Sequence, residues 1–394
     1  MASFALLNSQ VVIPALVQRL GGSNVAIGAL PVIVYLCYFL PQLIAANYAQ
    51  MEPFRRPWVL SAGIVQRSQV FLLAFAVALF GSEFPGLALV LFFLLYSVNQ
   101  FVAGVAAPSW FDFVVKTTLP HQRGRLMGMR SSIGASLGLV NSLLLALFLT
   151  YLDFPWNYSA AFFLAFLYQI SSWLVQRRVV EDQPSAIELP VPLSRLAARV
   201  RQILLSDARF RRFLLASAVS TVGLMPMGFF TVAALKRFAL SESYVGFFTM
   251  TMLASQIVFA GLLGWLGDVK GHKATLMVCA LAMVLASLLA VIGQHPGWFF
   301  AIFSLVGLIF GLELITRHNF AAECATDTTR PMYIGIMNAW LAPWFLSSLI
   351  GGWISDRFGY EIVFIVGAVF SLGGLLLLTG VADPRARLGS PSPA

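Results

Sequence analysis

Residues 246–292 read GFFTMTMLASQIVFAGLLGWLGDVKGHKATLMVCALAMVLASLLAVI, two apolar stretches parted by a turn that gathers Asp268, Lys270, His272 and Lys273. Crossing about 30 Å of hydrocarbon takes about 20 apolar residues in a helix, and each stretch, at 243–266 and 273–293, is long enough. Outward from this pair the pattern repeats. The first half carries stretches at 3–19, 25–47, 57–80, 85–108, 126–150 and 156–177; the second adds 211–235, 297–317, 331–354 and 360–381. The reading is therefore an all-α membrane protein of twelve spans.

Composition agrees. Of 394 residues 59% are hydrophobic and 10% charged, and the 31 glycines bring the apolar share to about two-thirds. Soluble domains are about half apolar and about one-quarter charged. A mean hydropathy of +0.85 excludes soluble-enzyme, nucleic-acid-binding and disordered classes. The net charge of +9 is read as basic residues crowding cytoplasmic loops. Cys37, Cys279 and Cys324 stand far apart, and His121, His272, His295 and His318 are scattered, so no disulfide framework or metal ligand set is expected. There is no G-x-x-x-x-G-K-[ST] phosphate loop, so neither a cofactor nor ATP hydrolysis is expected, and the chain is not read as an enzyme.

The segment between the two sets of spans is too polar to cross and is expected to hold a short surface helix. The expected organisation is a first bundle at 1–177, a linker at 178–210, a second bundle at 211–382 and a disordered cytoplasmic tail at 383–394. With the N-terminus inside, about 20 of the 25 Lys and Arg residues fall on the cytoplasmic side, leaving Arg19, Lys236, Arg237 and Arg357 outside and Arg67 within a span. The positive-inside rule thus places both termini in the cytoplasm. The opening span starts almost at Met1, so an upstream start codon is expected.

Two six-helix sets suggest duplication. HQRGRLMG, ending at Gly128, and TTRPMYIG, ending at Gly335, align at a shift of 207, which pairs Arg123 with Arg330 at the openings of the fifth and eleventh spans. The loop Gly264-Trp-Leu-Gly-Asp268-Val-Lys-Gly271-His-Lys273 resembles the pattern G-x-x-x-D-x-x-G-x-[RK] of the major facilitator superfamily, and Gly352-Trp-Ile-Ser-Asp356-Arg357-Phe-Gly359 resembles its last inter-span junction. The chain is similar to that family over essentially its whole length. The resemblance implies two pseudo-symmetric six-helix bundles that rock about a central cavity, with Gly264, Asp268, Gly271 and Lys273 as a conformational loop motif. There are departures. AANYAQMEPFRRP stands where the first loop motif belongs, Gln100 replaces an arginine four residues before Gly104, and Gly134 and Gly138 lack the antiporter proline.

The resemblance further implies that the first, fourth, seventh and tenth helices line the cavity, offering Asn8, Gln10, Asn99, Gln100, Ser220, Thr221 and Glu313. Flanking helices offer Gln42, Asn141, Gln256 and Asn338, with Trp110, Trp340 and Trp344 as aromatic candidates. Gln10, Gln42, Asn99, Gln100, Asn141, Gln256, Asn338 and Trp340 are the expected substrate contacts. Amides within the membrane also simply bond helices together, so both readings stand. Glu313 either carries a coupling proton or pairs with Arg317 one turn later. Asp112 and Lys116 repeat that spacing as a cytoplasmic gate or a solvated pair. Arg67 either attracts an anion or contacts a neighbouring helix, and Pro14, Pro31, Pro41, Pro226 and Pro343 are candidate hinges, Pro343 foremost.

The functional expectation is a monomeric secondary transporter of the bacterial inner membrane. It moves a small solute by alternating access, foremost by export of an amphipathic compound and with protons as a possible coupling ion. Uptake of a sugar or other polar metabolite and a non-transporting assembly factor are the alternatives. The partners expected are the solute and the lipid bilayer, with no nucleic acid.

Overall fold

A computed structural model describes residues 2–49, 51–182, 184, 185, 187, 192–326 and 329–383. The tail expected at 383–394 lies outside the described residues from 384 on, as do residues 183, 186 and 188–191 of the expected linker.

Every regular element among the described residues is helical. The chain opens with α1 (Val12–Arg19), α2 (Asn24–Val32) and α3 (Tyr38–Ala49), the last two fused through a π turn at Ile33–Cys37. Then come α4 (Arg56–Phe80), α5 (Pro85–Thr117), α6 (Arg123–Tyr151) and α7 (Trp156–Gln176), and α8 (Leu193–Ser206) in the linker. The seventh span is α9 (Ala208–Gly223) and α10 (Phe229–Arg237), joined by a 3-10 turn at Met225–Gly228. After it run α11 (Ser243–Lys270), α12 (His272–Ile292) and α13 (Gly297–Cys324). The chain closes with α14 (Arg330–Leu341), a 3-10 turn at Ala342–Leu346, α15 (Ser347–Phe358) and α16 (Tyr360–Thr379).

Eleven helical stretches among the described residues are long and apolar enough to cross a membrane, from Asn24–Ala49 to Tyr360–Thr379. They fall on eleven of the twelve expected stretches. The opening one differs: a 3-10 turn at Ala2–Phe4 gives way to irregular chain before the eight residues of α1. Asn8 explains the break, because its Oδ1 accepts the N–H groups of Gln10 at 2.8 Å and Val11 at 3.0 Å. That local bonding competes with a continuous helix.

The prolines act unequally. Pro226 and Pro343 sit in the 3-10 turns that interrupt their spans, whereas Pro31 and Pro41 are carried inside α2 and α3. Aligned Arg123 and Arg330 are the first residues of α6 and α14, so the repeat read from the sequence corresponds to equivalent helix starts.

The chain divides into two compact units, Met1–Val191 with Leu235–Met250, and Pro192–Ala234 with Thr251–Ala394. In the first, α4 lies against α5 and α7, and α3 against α5, over buried Phe92, Tyr96, Tyr158 and Phe162. In the second, α12 packs on α13 and α16, and α9 on α16. Its core holds Phe210, Phe213, Phe320, Tyr333 and Met337.

Candidate functional site

In the first unit the polar candidates gather where α3 meets α5. Residues 96, 100 and 104 are spaced by four, so Tyr96, Gln100 and Gly104 share one face of α5. Tyr38 and Gln42 share a face of α3 by the same spacing. Gly104 allows the approach, since a Cβ there would strike the carbonyl oxygen of Tyr38. Beside this contact, Gln42 hydrogen-bonds Tyr38 and Gln100 hydrogen-bonds Tyr96. Tyr38, Tyr96 and the nearby Tyr35 were not among the expected site residues. The Tyr–Gln spacing of four was the signal that could have found Tyr38 and Tyr96.

Other expected contacts are spent within the bundle. Asn99 Nδ2 donates to the Gln66 carbonyl at 2.8 Å. Buried Asn141 accepts from Tyr168 Oη at 3.1 Å, and Asn8 and Gln10 are buried around the opening turn. Arg67 donates to the carbonyls of Gln169 and Gly63, each at 2.7 Å. That is the neighbouring-helix reading of this arginine.

The second unit repeats the glycine contact. A Cβ at Gly307 on α13 would strike the carbonyl oxygen of Met252, and one at Gly311 would come within 2.6 Å of Gln256 Cγ. Thus Met252 and Gln256 on α11 occupy the places that Tyr38 and Gln42 hold on α3. Further along α13, Arg317 donates to Glu313 Oε1 at 2.6 Å, to Thr221 Oγ1 at 2.8 Å and to the Ser217 carbonyl at 3.4 Å. One turn later than Leu314, His318 bonds that residue's carbonyl through Nδ1 at 2.7 Å, with Asn338 of α14 beside it. The Asn338 Oδ1 is buried and faces the His318 ring. His318 was passed over as one of four scattered histidines. Trp340 donates Nε1 to the Leu214 carbonyl at 3.3 Å and lies 6.4 Å from Trp344.

The charged ends are arranged differently from expectation. Asp112 and Lys116 do not pair with each other: Asp112 takes Arg55 at 2.7 Å, and Lys116 takes Glu181 at 3.0 Å. Glu181, from the linker, also accepts the backbone N–H groups of Arg55 at 3.0 Å and Arg56 at 2.7 Å. An i,i+4 pair at the surface gains little, whereas these partners join the α3–α4 loop to the end of α5. Burial pushes the Glu181 carboxyl up, but the two N–H groups and the Lys116 ammonium outweigh it and hold its pKa below the usual carboxylate range. Arg55 also reaches the carbonyls of Ala49 and Glu52.

A second cluster that sequence reading missed lies at Glu242, between α10 and α11, where Arg19 pairs with it at 3.2 Å and Asn157 donates to it at 3.4 Å. Burial raises the Glu242 pKa against the pull of Arg19. In the loop motif, Gly264 and Asp268 belong to α11, which runs on to Lys270, rather than to a loop. Gly271 makes the turn with φ +86°. Lys273 then donates to the carbonyls of Thr379 at 2.9 Å and Val381 at 2.7 Å, the favoured place for a cation at a helix C-terminus.

Residues 225–394 match the sequence model of the Major Facilitator Superfamily. Among solved structures, the nucleoside transporter NupG is similar at a TM-score of 0.70 and 12% identity, over 96% of this chain and 96% of that one. A D-xylose–proton symporter is similar at 0.73 and 14%, over 98% and 96%. The xylose transporter XylE from E. coli, in an inward-open conformation, is similar at 0.68 and 15%, over 97% and 94%.

Proposed function

We propose that this chain is a member of the major facilitator superfamily, whose sequence model matches residues 225–394, and that it moves a small uncharged, amphipathic solute across the membrane by alternating access. The observation that carries the solute class is the α3–α5 contact. Tyr38, Gln42, Tyr96 and Gln100 offer two amides and two phenols around a close backbone approach, with no ionised group among them. Such a surface stacks on an apolar ring and hydrogen-bonds a hydroxyl or carbonyl. Asn338, buried beside His318, is the polar contact proposed from the second unit.

The apolar, aromatic character of these helices favours export. Uptake of a sugar-like solute is the alternative, supported by the nucleoside and xylose transporters that share the fold. The Lys and Arg distribution supports an inner-membrane placement with both termini in the cytoplasm. For Arg317, three partners and a side chain only 5% exposed favour the structural ion pair over a free proton carrier at Glu313.

The test is thermal stability of the purified protein against a panel of metabolites and amphipathic drugs at two pH values. A ligand that binds only the folded state raises the melting temperature. The hit is expected to weaken at least tenfold in Gln42→Ala and Gln100→Ala while the unliganded melting temperature stays within a few degrees. A hit indifferent to both substitutions overturns the assignment. A hit whose pH dependence vanishes in Glu313→Gln returns Glu313 to proton coupling.

A further inference from the structure

Helix α8 has no role in the transport reading, yet its two faces differ sharply. Val200, Ile203 and Leu204 pack against the core of the second unit. The rest of its circumference holds Arg195, Arg199 and Arg201, all exposed, with Arg199 and Arg201 on its two flanks and Leu205, one turn beyond Arg201, 67% exposed. Ala198, Arg201, Gln202, Leu205 and Ser206 line an open groove of about 520 Å³ along this face. The helix has no acidic residue, and among the described residues no side chain bonds these three guanidinium groups.

Its position is fixed by the chain. Only Asp207 separates α8 from α9, which begins a membrane-length helix at Ala208. The corner is braced. Asp207 caps α9 by accepting the Phe210 N–H at 2.8 Å and takes a hydrogen bond from Tyr333 Oη at 3.2 Å. Arg211 donates to the carbonyls of Leu204 at 2.6 Å and Leu205 at 2.7 Å, closing the end of α8. Asp207 is thus already engaged, while Arg209 and Arg212 in the first two turns of α9 add two more cations. The arginine face of α8 therefore stands at the depth where a bilayer presents its headgroups.

We propose that α8 is a binding surface for anionic phospholipid headgroups: Arg195, Arg199 and Arg201 receive the phosphates, and Leu205 and Ala198 rest against the acyl boundary. A short amphipathic helix with arginines on its outer face and an apolar foot is built for that interface. A free-standing pair of charges would be screened within about 10 Å in salt, but a membrane concentrates its phosphates at the level of this face. The inference rests on the membrane placement of the chain and not on the solute.

The experiment titrates phosphatidylglycerol into the purified full chain in phosphatidylcholine micelles and reads melting temperature. In the wild type the anionic lipid is expected to raise it, with the rise lost as salt goes from about 50 to about 500 mM. Each arginine near an anionic surface is worth about fivefold, so the combined variant Arg195→Gln, Arg199→Gln, Arg201→Gln is expected to need roughly a hundredfold more phosphatidylglycerol. The salt titration on the wild type stands whether or not that variant folds. An equal rise with phosphatidylcholine, a rise untouched by salt, or an unchanged titration in a folded variant overturns the proposal. Protection by inorganic phosphate at the same concentration also overturns it, in favour of a soluble anion.

Discussion

Gly104 and Gly307 make one contact twice. Each lies on the fourth helix of its set and leaves room for a backbone carbonyl, of Tyr38 in one case and of Met252 in the other. Each of those residues stands four before a glutamine, Gln42 and Gln256. The surroundings then diverge. One and two turns ahead of Gly104 stand Gln100 and Tyr96; ahead of Gly307 the same places hold Phe303 and Phe299, both fully buried. Six and ten residues after Gly307 comes the ion pair of Glu313 and Arg317, where the same offsets from Gly104 reach Trp110 and Val114. A duplicated backbone contact was kept while its chemistry split: neutral hydrogen-bonding surface in one unit, a buried charge pair in the other.

The largest test of that split is Arg317→Ala. It strips Glu313, Thr221 and the Ser217 carbonyl of one shared partner. Removing one member of a buried ion pair costs about 3–5 kcal/mol, so denaturation in detergent should show a loss of that order. Replacing Glu313 and Arg317 together by Gln and Met should recover most of it. A single-variant loss below about 1 kcal/mol would mean that the pair is solvated, and the contrast between the units would fail.

Next in size is the shared contact itself. Gly104→Ala and Gly307→Ala each push a methyl into a carbonyl that belongs to backbone and cannot swing aside. Overpacking of this kind costs about 1–3 kcal/mol. The two losses should match within about 1 kcal/mol, each measured as a melting-temperature drop. Tolerance at one site and collapse at the other would break the equivalence of the two contacts.

Much of this was legible in the chain. Apolar run lengths located eleven helical stretches, because the demand for about 20 apolar residues is simple and strong. The opening stretch misled because its hydropathy hides one Asn8 whose side chain bonds its own backbone. Helices α5 and α11 overran their apolar runs, since a helix continues into water where its charged end finds partners. Arg317 was readable from its spacing to Glu313. The partners of Asp112 and Lys116 were not, because Arg55 and Glu181 lie 57 and 65 residues away in sequence and only folding brings them in. Gly104 and Gly307 looked like ordinary membrane glycines until a carbonyl was found opposite each.

The smallest effects concern carboxylates at helix ends, and they sharpen the contrast by sign. Glu181 and Glu242 both belong to the first unit. Neither lies in a membrane-length helix. Glu181 has a depressed pKa, so the unfolded chain binds its proton more readily than the folded one. Its stabilisation is complete above the ordinary carboxylate range and fades as pH falls through the depressed value. Glu242 is raised by burial, with Arg19 opposing. The folded protein then holds that proton more readily, and stability declines as pH climbs from the ordinary range through the raised value. Glu181→Gln should flatten the acid side of a melting-temperature profile and Glu242→Gln the side above it. The Glu242 effect should be the smaller of the two, because Arg19 and Asn157 oppose the burial that raises it. If Glu242→Gln instead moved the acid limb, Arg19 would be the dominant influence on that carboxyl, and Glu242 would behave as a second Glu181 rather than its opposite.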